Sequence, residues 1–113
     1  MVNKGTWEKP KVHFTEVTTF EEFYPLYLQE HKNRTNRRLH FMGSTLGLLF
    51  FITMISIGKL MFLPLGLVIG YAFAWVGHYF FEKNKPATFQ RPLWSFMGDW
   101  VMWKDILTGA ILF

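Results

Sequence analysis

Two uncharged runs dominate the sequence, and one lysine separates them. Phe41–Gly58 is eighteen residues without a charge, and Leu60–Phe81 is a further twenty-two, with Lys59 between. A helix that crosses a bilayer needs about 20 mostly apolar residues, so each run is long enough to span. A tight turn near Gly58-Lys59 makes the pair an antiparallel hairpin. Lys32, Arg34, Arg37 and Arg38 precede the first run, and Lys83, Lys85 and Arg91 follow the second. Basic residues concentrate on the cytoplasmic side of spans, so both termini are expected there.

Composition agrees with this reading. Half of the residues are hydrophobic and 19% are aromatic, as suits a chain that meets lipid. The net charge of +4 comes from residues that flank apolar spans, which fits anionic head groups and topology signals. It does not fit nucleic acid, because the aromatics belong to the spans and not to a basic patch. No cysteine is present, which excludes disulfides and thiolate metal sites. The N-terminal residues include Lys4, Glu8, Lys9 and Lys11, so no cleavable leader is expected.

The flanks read as short interfacial elements. Residues 1–17 have no clear period and contain Pro10; they form an arm in which His13 has no companion at helical spacing. Thr18 and Thr19 offer N-caps, with Glu21 and Glu22 three residues after each, the capping-box pattern. Phe20, Phe23, Tyr24, Tyr27, Leu28 and His31 then fall on one face, so an amphipathic helix is expected at about 19–31. Pro25 argues that it starts near that residue or bends there. After Asn84 and Pro86, Trp94, Trp100 and Trp103 mix with Asp99 and Asp105. Tryptophans suit the head-group belt, so a second interfacial helix is expected at about 94–108. The whole of 18–113 is expected to be one all-α membrane domain, with spans at about 41–58 and 60–81. The apolar tail Gly109–Phe113 has no assigned place.

Chemistry gathers at one end of the expected hairpin. His40 opens the first span and His78 closes the second, so both lie at the same membrane face. His78 and Glu82 are spaced i, i+4, which projects both from one face of an α-helix. Gly66, Gly70, Ala74 and His78 recur every four residues opposite Gly43 and Gly47, and small residues let helices approach closely. His31 and His40 are nine apart, half a turn out of phase, so they converge only if the chain bends or loops between them, with Asn33 to Asn36 as candidate breakers. Three imidazoles and a carboxylate then meet. Imidazole suits iron, zinc, copper and nickel, and two histidines with a carboxylate make a non-haem iron face; spacing alone leaves the metal open. Asn36, one turn before His40, is placed to orient the ring. Two other readings stand beside this one. One is a non-enzymatic hairpin that acts through its glycine faces or a partner; the other is bis-histidine haem, which close glycine packing disfavours. Ser44 and Ser95 have no histidine at a suggestive spacing, so a hydrolase triad is not supported.

The pattern His31-x4-Asn36-x3-His40-x2-Gly43, followed by Gly77-His78-x3-Glu82-x-Asn84-x-Pro86-Ala87, resembles the membrane-bound 2-hydroxy-palmitic acid dioxygenase family of fatty-acid α-oxidation. Pro92-Leu93-Trp94-Ser95 and Gly98-Asp99 extend the likeness, which covers roughly Phe20 to Thr108. The resemblance implies an Fe(II)-dependent dioxygenase that needs no 2-oxoglutarate. It would use molecular oxygen to turn a 2-hydroxy fatty acid into a product one carbon shorter. His31, His40 and His78 are then the expected metal ligands, with Asn36 and Asn84 behind them. Glu82 is expected as a fourth ligand or as the base, and Arg37 as the partner of the substrate carboxylate. The expected setting is a bacterial inner membrane or the endoplasmic reticulum, and a homo-oligomer is compatible with the glycine faces.

Overall fold

The computed structural model describes residues 14–113, and within them every regular element is helical. The expected arm, apart from its last residues, and His13 lie outside the described residues.

Helix α1 is Phe20–Gln29. Thr19 is the N-cap that the chain uses: its hydroxyl accepts from Glu22 N at 3.2 Å, while Glu22 Oε1 accepts from Thr18 N at 2.9 Å. This reciprocal pair satisfies two amides that the first helical turn leaves over. The helix is continuous through the position of Pro25. The amide that proline lacks would have bonded the carbonyl of Glu21, which is exposed and can meet water. The helix stops at Gln29, so His31 falls in the following turn and not on the helix face that its spacing predicted.

Helix α2 is Arg34–Ser56, seven residues longer at its start than the uncharged run. Asn33 caps it, accepting from Asn36 N at 3.1 Å. The chain therefore breaks between His31 and His40, as their phase requires. At the other end Gly58, with φ +73°, reverses the chain. Lys59 N reaches Met54 O at 2.8 Å and Gly58 N reaches Ile55 O at 3.2 Å, the Schellman closure that a left-handed glycine permits.

The second uncharged run folds as three kinds of helix in series. Leu60–Phe62 is a 3₁₀ turn, helix α3 is Pro64–Val76, and Gly77–Glu82 is a π-helical turn. Pro64 sits at the first turn of α3, where its missing amide is not needed. Helices α2 and α3 pack side by side in opposite directions. A Cβ on Gly47 would lie 2.8 Å from Gly66 O, and one on Gly43 would lie 3.1 Å from Gly70 O. The backbones touch where a side chain would hold them apart.

Two helices, Arg34–Ser56 and Leu60–Glu82, are long and apolar enough to cross a membrane. Only 11% and 17% of their most apolar stretches are buried, unlike the core helix of a soluble protein. Leu49, Ile52, Ile55 and Val68 are among the large side chains left outside. At about 1.5 Å per residue, twenty-three residues reach about 34 Å, which matches the hydrocarbon thickness of a bilayer.

Helix α4, Pro92–Leu107, packs against α1 and α2. Phe23, Tyr27 and Leu28 of α1 meet Met102 and Ile106 of α4 in the main buried cluster. The two acids of α4 are taken up by α1: Tyr24 Oη donates to Asp105 Oδ2 at 2.7 Å, and Tyr27 Oη donates to Asp99. Trp103 Nε1 donates to Thr45 Oγ1 of α2 at 2.9 Å. The tail is packed as well. Ile111 joins the buried cluster, and the Phe113 ring lies 5.5 Å from that of Phe41. Arg34 and Arg38 donate to the backbone oxygen of Phe113 at 2.8 and 3.1 Å.

Candidate metal centre

His31, His40 and His78 come from three elements and meet in one buried place. Their ring centroids lie 4.5, 4.5 and 4.8 Å apart, and each side chain is almost wholly buried. One ring nitrogen from each falls within 4.8 Å of the other two. The turn after α1 delivers His31, the second turn of α2 delivers His40, and the π turn delivers His78. A π turn is a common local device at functional sites.

The other nitrogen of each ring is already engaged. His31 Nδ1 donates to the Tyr27 carbonyl at 2.6 Å, and His40 Nδ1 donates to the Asn36 carbonyl at 3.0 Å. His78 Nδ1 lies 2.7 Å from Asn84 Oδ1. The Asn84 amide has only one sensible orientation, because its Nδ2 donates to Glu30 O at 3.1 Å and Glu30 Oε1 at 3.0 Å. All three outer partners are acceptors, so all three protons sit on Nδ1. Three Nε2 lone pairs are thereby turned on one another, with His31 Nε2 only 3.1 Å from His40 Nε2. Facing lone pairs without a proton between them are unfavourable in a buried site. A cation relieves this, and histidine ligands held through the far nitrogen are how proteins build such sites. Burial and the two neighbouring imidazoles hold His31 well below its ordinary value, so its ring is neutral at pH 7 and its lone pair is available. The residues present fit a metal ion.

The other expected site residues lie around this group in the following places. Asn36 is fully buried and offers His40 its backbone carbonyl; its side-chain Nδ2 goes to Glu82 Oε1 at 3.1 Å. Glu82 Oε1 also accepts from Asn33 N at 2.7 Å. The π turn separates His78 and Glu82, which an α-helix would have kept on one face. His78 turns towards the other imidazoles and Glu82 towards the N-terminus of α2. Arg37 donates to the carbonyls of Lys32 at 2.8 Å, His31 at 3.4 Å and Leu112 at 3.5 Å. Gly77 lies against Asn36, whose Oδ1 would collide with any Cβ placed there.

An apolar cavity of about 100 Å³ begins at His40 and runs between α2, α3 and α4. Glycines 43, 47, 66 and 70 form much of its wall, and Asp99 and Trp100 of α4 border it. Asp99 is not among the expected site residues; the sequence places it only among the tryptophans of the last helix and, with Gly98, in the family likeness. Its carboxylate receives Tyr27 Oη, and the Tyr27 ring stacks on His31 with centroids 4.0 Å apart. Burial pushes the Asp99 carboxyl up to about 7, against the lowering effect of the Tyr27 hydrogen bond. The signal available in the sequence was an acid inside an apolar, tryptophan-rich segment, which needs a partner.

These features define an all-helical protein with two helices long and apolar enough to cross a membrane and a buried group of three histidines that could hold a metal ion. The family model described as 2-hydroxy-palmitic acid dioxygenase Mpo1-like matches residues 17–111, and the chain belongs to that family. No curated protein and no solved structure matches the chain.

Proposed function

We propose that the chain is an Fe(II)-dependent dioxygenase that shortens 2-hydroxy fatty acids by one carbon at a membrane. The observation that carries this is the set of three Nε2 lone pairs aimed at one buried point, with an apolar cavity opening beside His40. The family, 2-hydroxy-palmitic acid dioxygenase Mpo1-like, suggests the reaction class and the 2-hydroxy acid. The overall change balances as one 2-hydroxy acid and one O₂ giving the shorter acid, CO₂ and water.

His31, His40 and His78 would hold the iron, which would supply sites for a hydroxy acid and oxygen. Bound iron would supply the activation of oxygen that no side chain can provide. Tyr27, Asn36 and Asn84 fix the three imidazoles through Nδ1. Glu82 acts as a positioning residue: its carboxylate locks Asn36, and its charge faces the N-terminus of α2, where the helix dipole favours an anion. Arg37 ties the His31 turn to α2 in the same way. A Glu82→Gln variant, which retains an acceptor oxygen, then keeps its metal and most of its turnover. Loss of turnover with metal retained in that variant would instead make Glu82 the base. The cavity takes the acyl chain, and its glycine wall excludes water from the reacting end.

In this reading α2 and the Leu60–Glu82 helix cross the bilayer as a hairpin, with the histidines at the cytoplasmic face. The deciding experiment supplies 2-hydroxypalmitate labelled with ¹³C at the carboxyl carbon. The proposal expects labelled CO₂ and an unlabelled fifteen-carbon acid, both dependent on oxygen and iron. An inert substrate with fully iron-loaded protein would overturn it and favour a hairpin that works only by packing or by binding a partner.

A further inference from the structure

The cavity has a measurable length and a definite far end. On α2 its wall is His40, Gly43, Ser44, Gly47, Leu48 and Phe51, spaced by three and one in alternation, which is one face of one helix. Phe51 is the last of these and the farthest from the histidines. On α3 the wall ends beside it, at Gly66 and Leu67. The Phe51 ring lies across the backbone of Gly66, where a Cβ would come within 2.6 Å of Cδ1. Glycine at that position lets the ring lie flat between the two helices.

Resting on the reading of the site as a fatty-acid dioxygenase, we infer that Phe51 sets the longest acyl chain the cavity accepts. From His40 to Phe51 is eleven residues of α2, or about 16.5 Å at the helical rise of about 1.5 Å. An extended chain advances about 1.2 Å per bond, taking about 3.5 Å for the three bonds of an extended residue. About 14 bonds of straight chain laid along this wall reach from the histidines to Phe51. With the head carbons, that is a saturated acid of about 16 carbons. A ring at the end of an apolar slot acts as a stop, because extra methylenes must displace it or bend in a tightly packed space.

The test replaces the stop in both directions and reads binding as well as turnover. Phe51 is half-buried, so Phe51→Ala and Phe51→Trp are both compatible with the fold. Saturated 2-hydroxy acids from 12 to 20 carbons are compared in two assays. One is oxygen-dependent turnover; the other is displacement of a fluorescent fatty acid from the metal-loaded protein. Phe51→Ala is expected to move the optimum up by about three carbons, the length of the removed ring at about 1.2 Å per bond. Phe51→Trp is expected to move it down by one or two, with histidine-bound metal unchanged in both variants.

Profiles that stay the same in both variants while wild type remains active would overturn the stop and leave the dioxygenase reading intact. Length-dependent displacement that shifts as expected, with no turnover in any variant, would keep the stop and overturn the dioxygenase reading. Failure of every acid to displace the probe would overturn the stop directly.

Discussion

His78 depends on Asn84, six residues away, for the orientation of its ring, and Asn84 depends on Glu30 in another part of the chain. Asn84→Ala removes the acceptor at Nδ1 and lets the ring turn. Chelator competition should show metal affinity 10–100-fold weaker, and Asn84→Asp should restore most of it; equal affinity in all three would contradict the role. Asp99 gives a second prediction, with a sign opposite to that of most acids. Its folded-state value of about 7 lies above the ordinary 3.8. Between those values the folded protein holds a proton that the unfolded chain releases, so stability falls as pH rises. The contribution is fully present below the lower value and lost by the upper one. Thermal melts in detergent should show the stability of wild type relative to Asp99→Asn declining from about pH 4 to 7. A difference independent of pH would remove the buried-acid account. The gathering of the histidines was legible because His40 and His78 sit at matching ends of two uncharged runs; the placement of His31 in a turn was not. The Tyr27–Asp99 link was not, since its partners are 72 residues apart and no periodicity relates them.

At the scale of elements, the two long helices meet through glycine, and the glycines are not equivalent. A Cβ at Gly47 would press to 2.8 Å from a backbone oxygen that cannot move alone, whereas one at Gly70 has nothing nearer than Gly43 O at 3.8 Å. Gly47→Ala should therefore cost about 1–3 kcal/mol through overpacking, while Gly70→Ala should be near neutral. Guanidinium or thermal unfolding of the two variants side by side checks this, and equal effects would mean that the helices do not meet as described. Gly77→Ala should behave like Gly47→Ala and should also weaken metal binding, because it displaces Asn36. The existence of four helices was legible from hydrophobic runs and caps. The winding of Gly77–Glu82 was not, since α and π turns share the same residue preferences and differ only in what they must reach. That winding goes with Glu82 meeting Asn33 and Asn36 at the start of α2 and not pointing with His78.

At the scale of the molecule, the proposed hairpin has an orientation that labelling can test. The sequence contains no cysteine, so single cysteines can be introduced without background. Lys59→Cys should react with an impermeant thiol reagent added from the non-cytoplasmic side, and Lys85→Cys only from the cytoplasmic side. Reaction of both from one side would contradict the hairpin. The chain's acids and arginines spend themselves mostly on internal fastening: Asp99 and Asp105 on tyrosines, Arg34 and Arg38 on the tail, Glu82 on α2. That leaves a polar frame around one buried centre, where three imidazoles face one another. The most direct test of that centre is the iron content of protein purified anaerobically in mild detergent, compared with His31→Ala, His40→Ala and His78→Ala. The account predicts about one iron per chain in wild type, as one three-ligand face holds one ion, and near-complete loss in each variant with helix content unchanged. Wild type that binds no metal after reconstitution, or a variant that keeps its full iron, would contradict it.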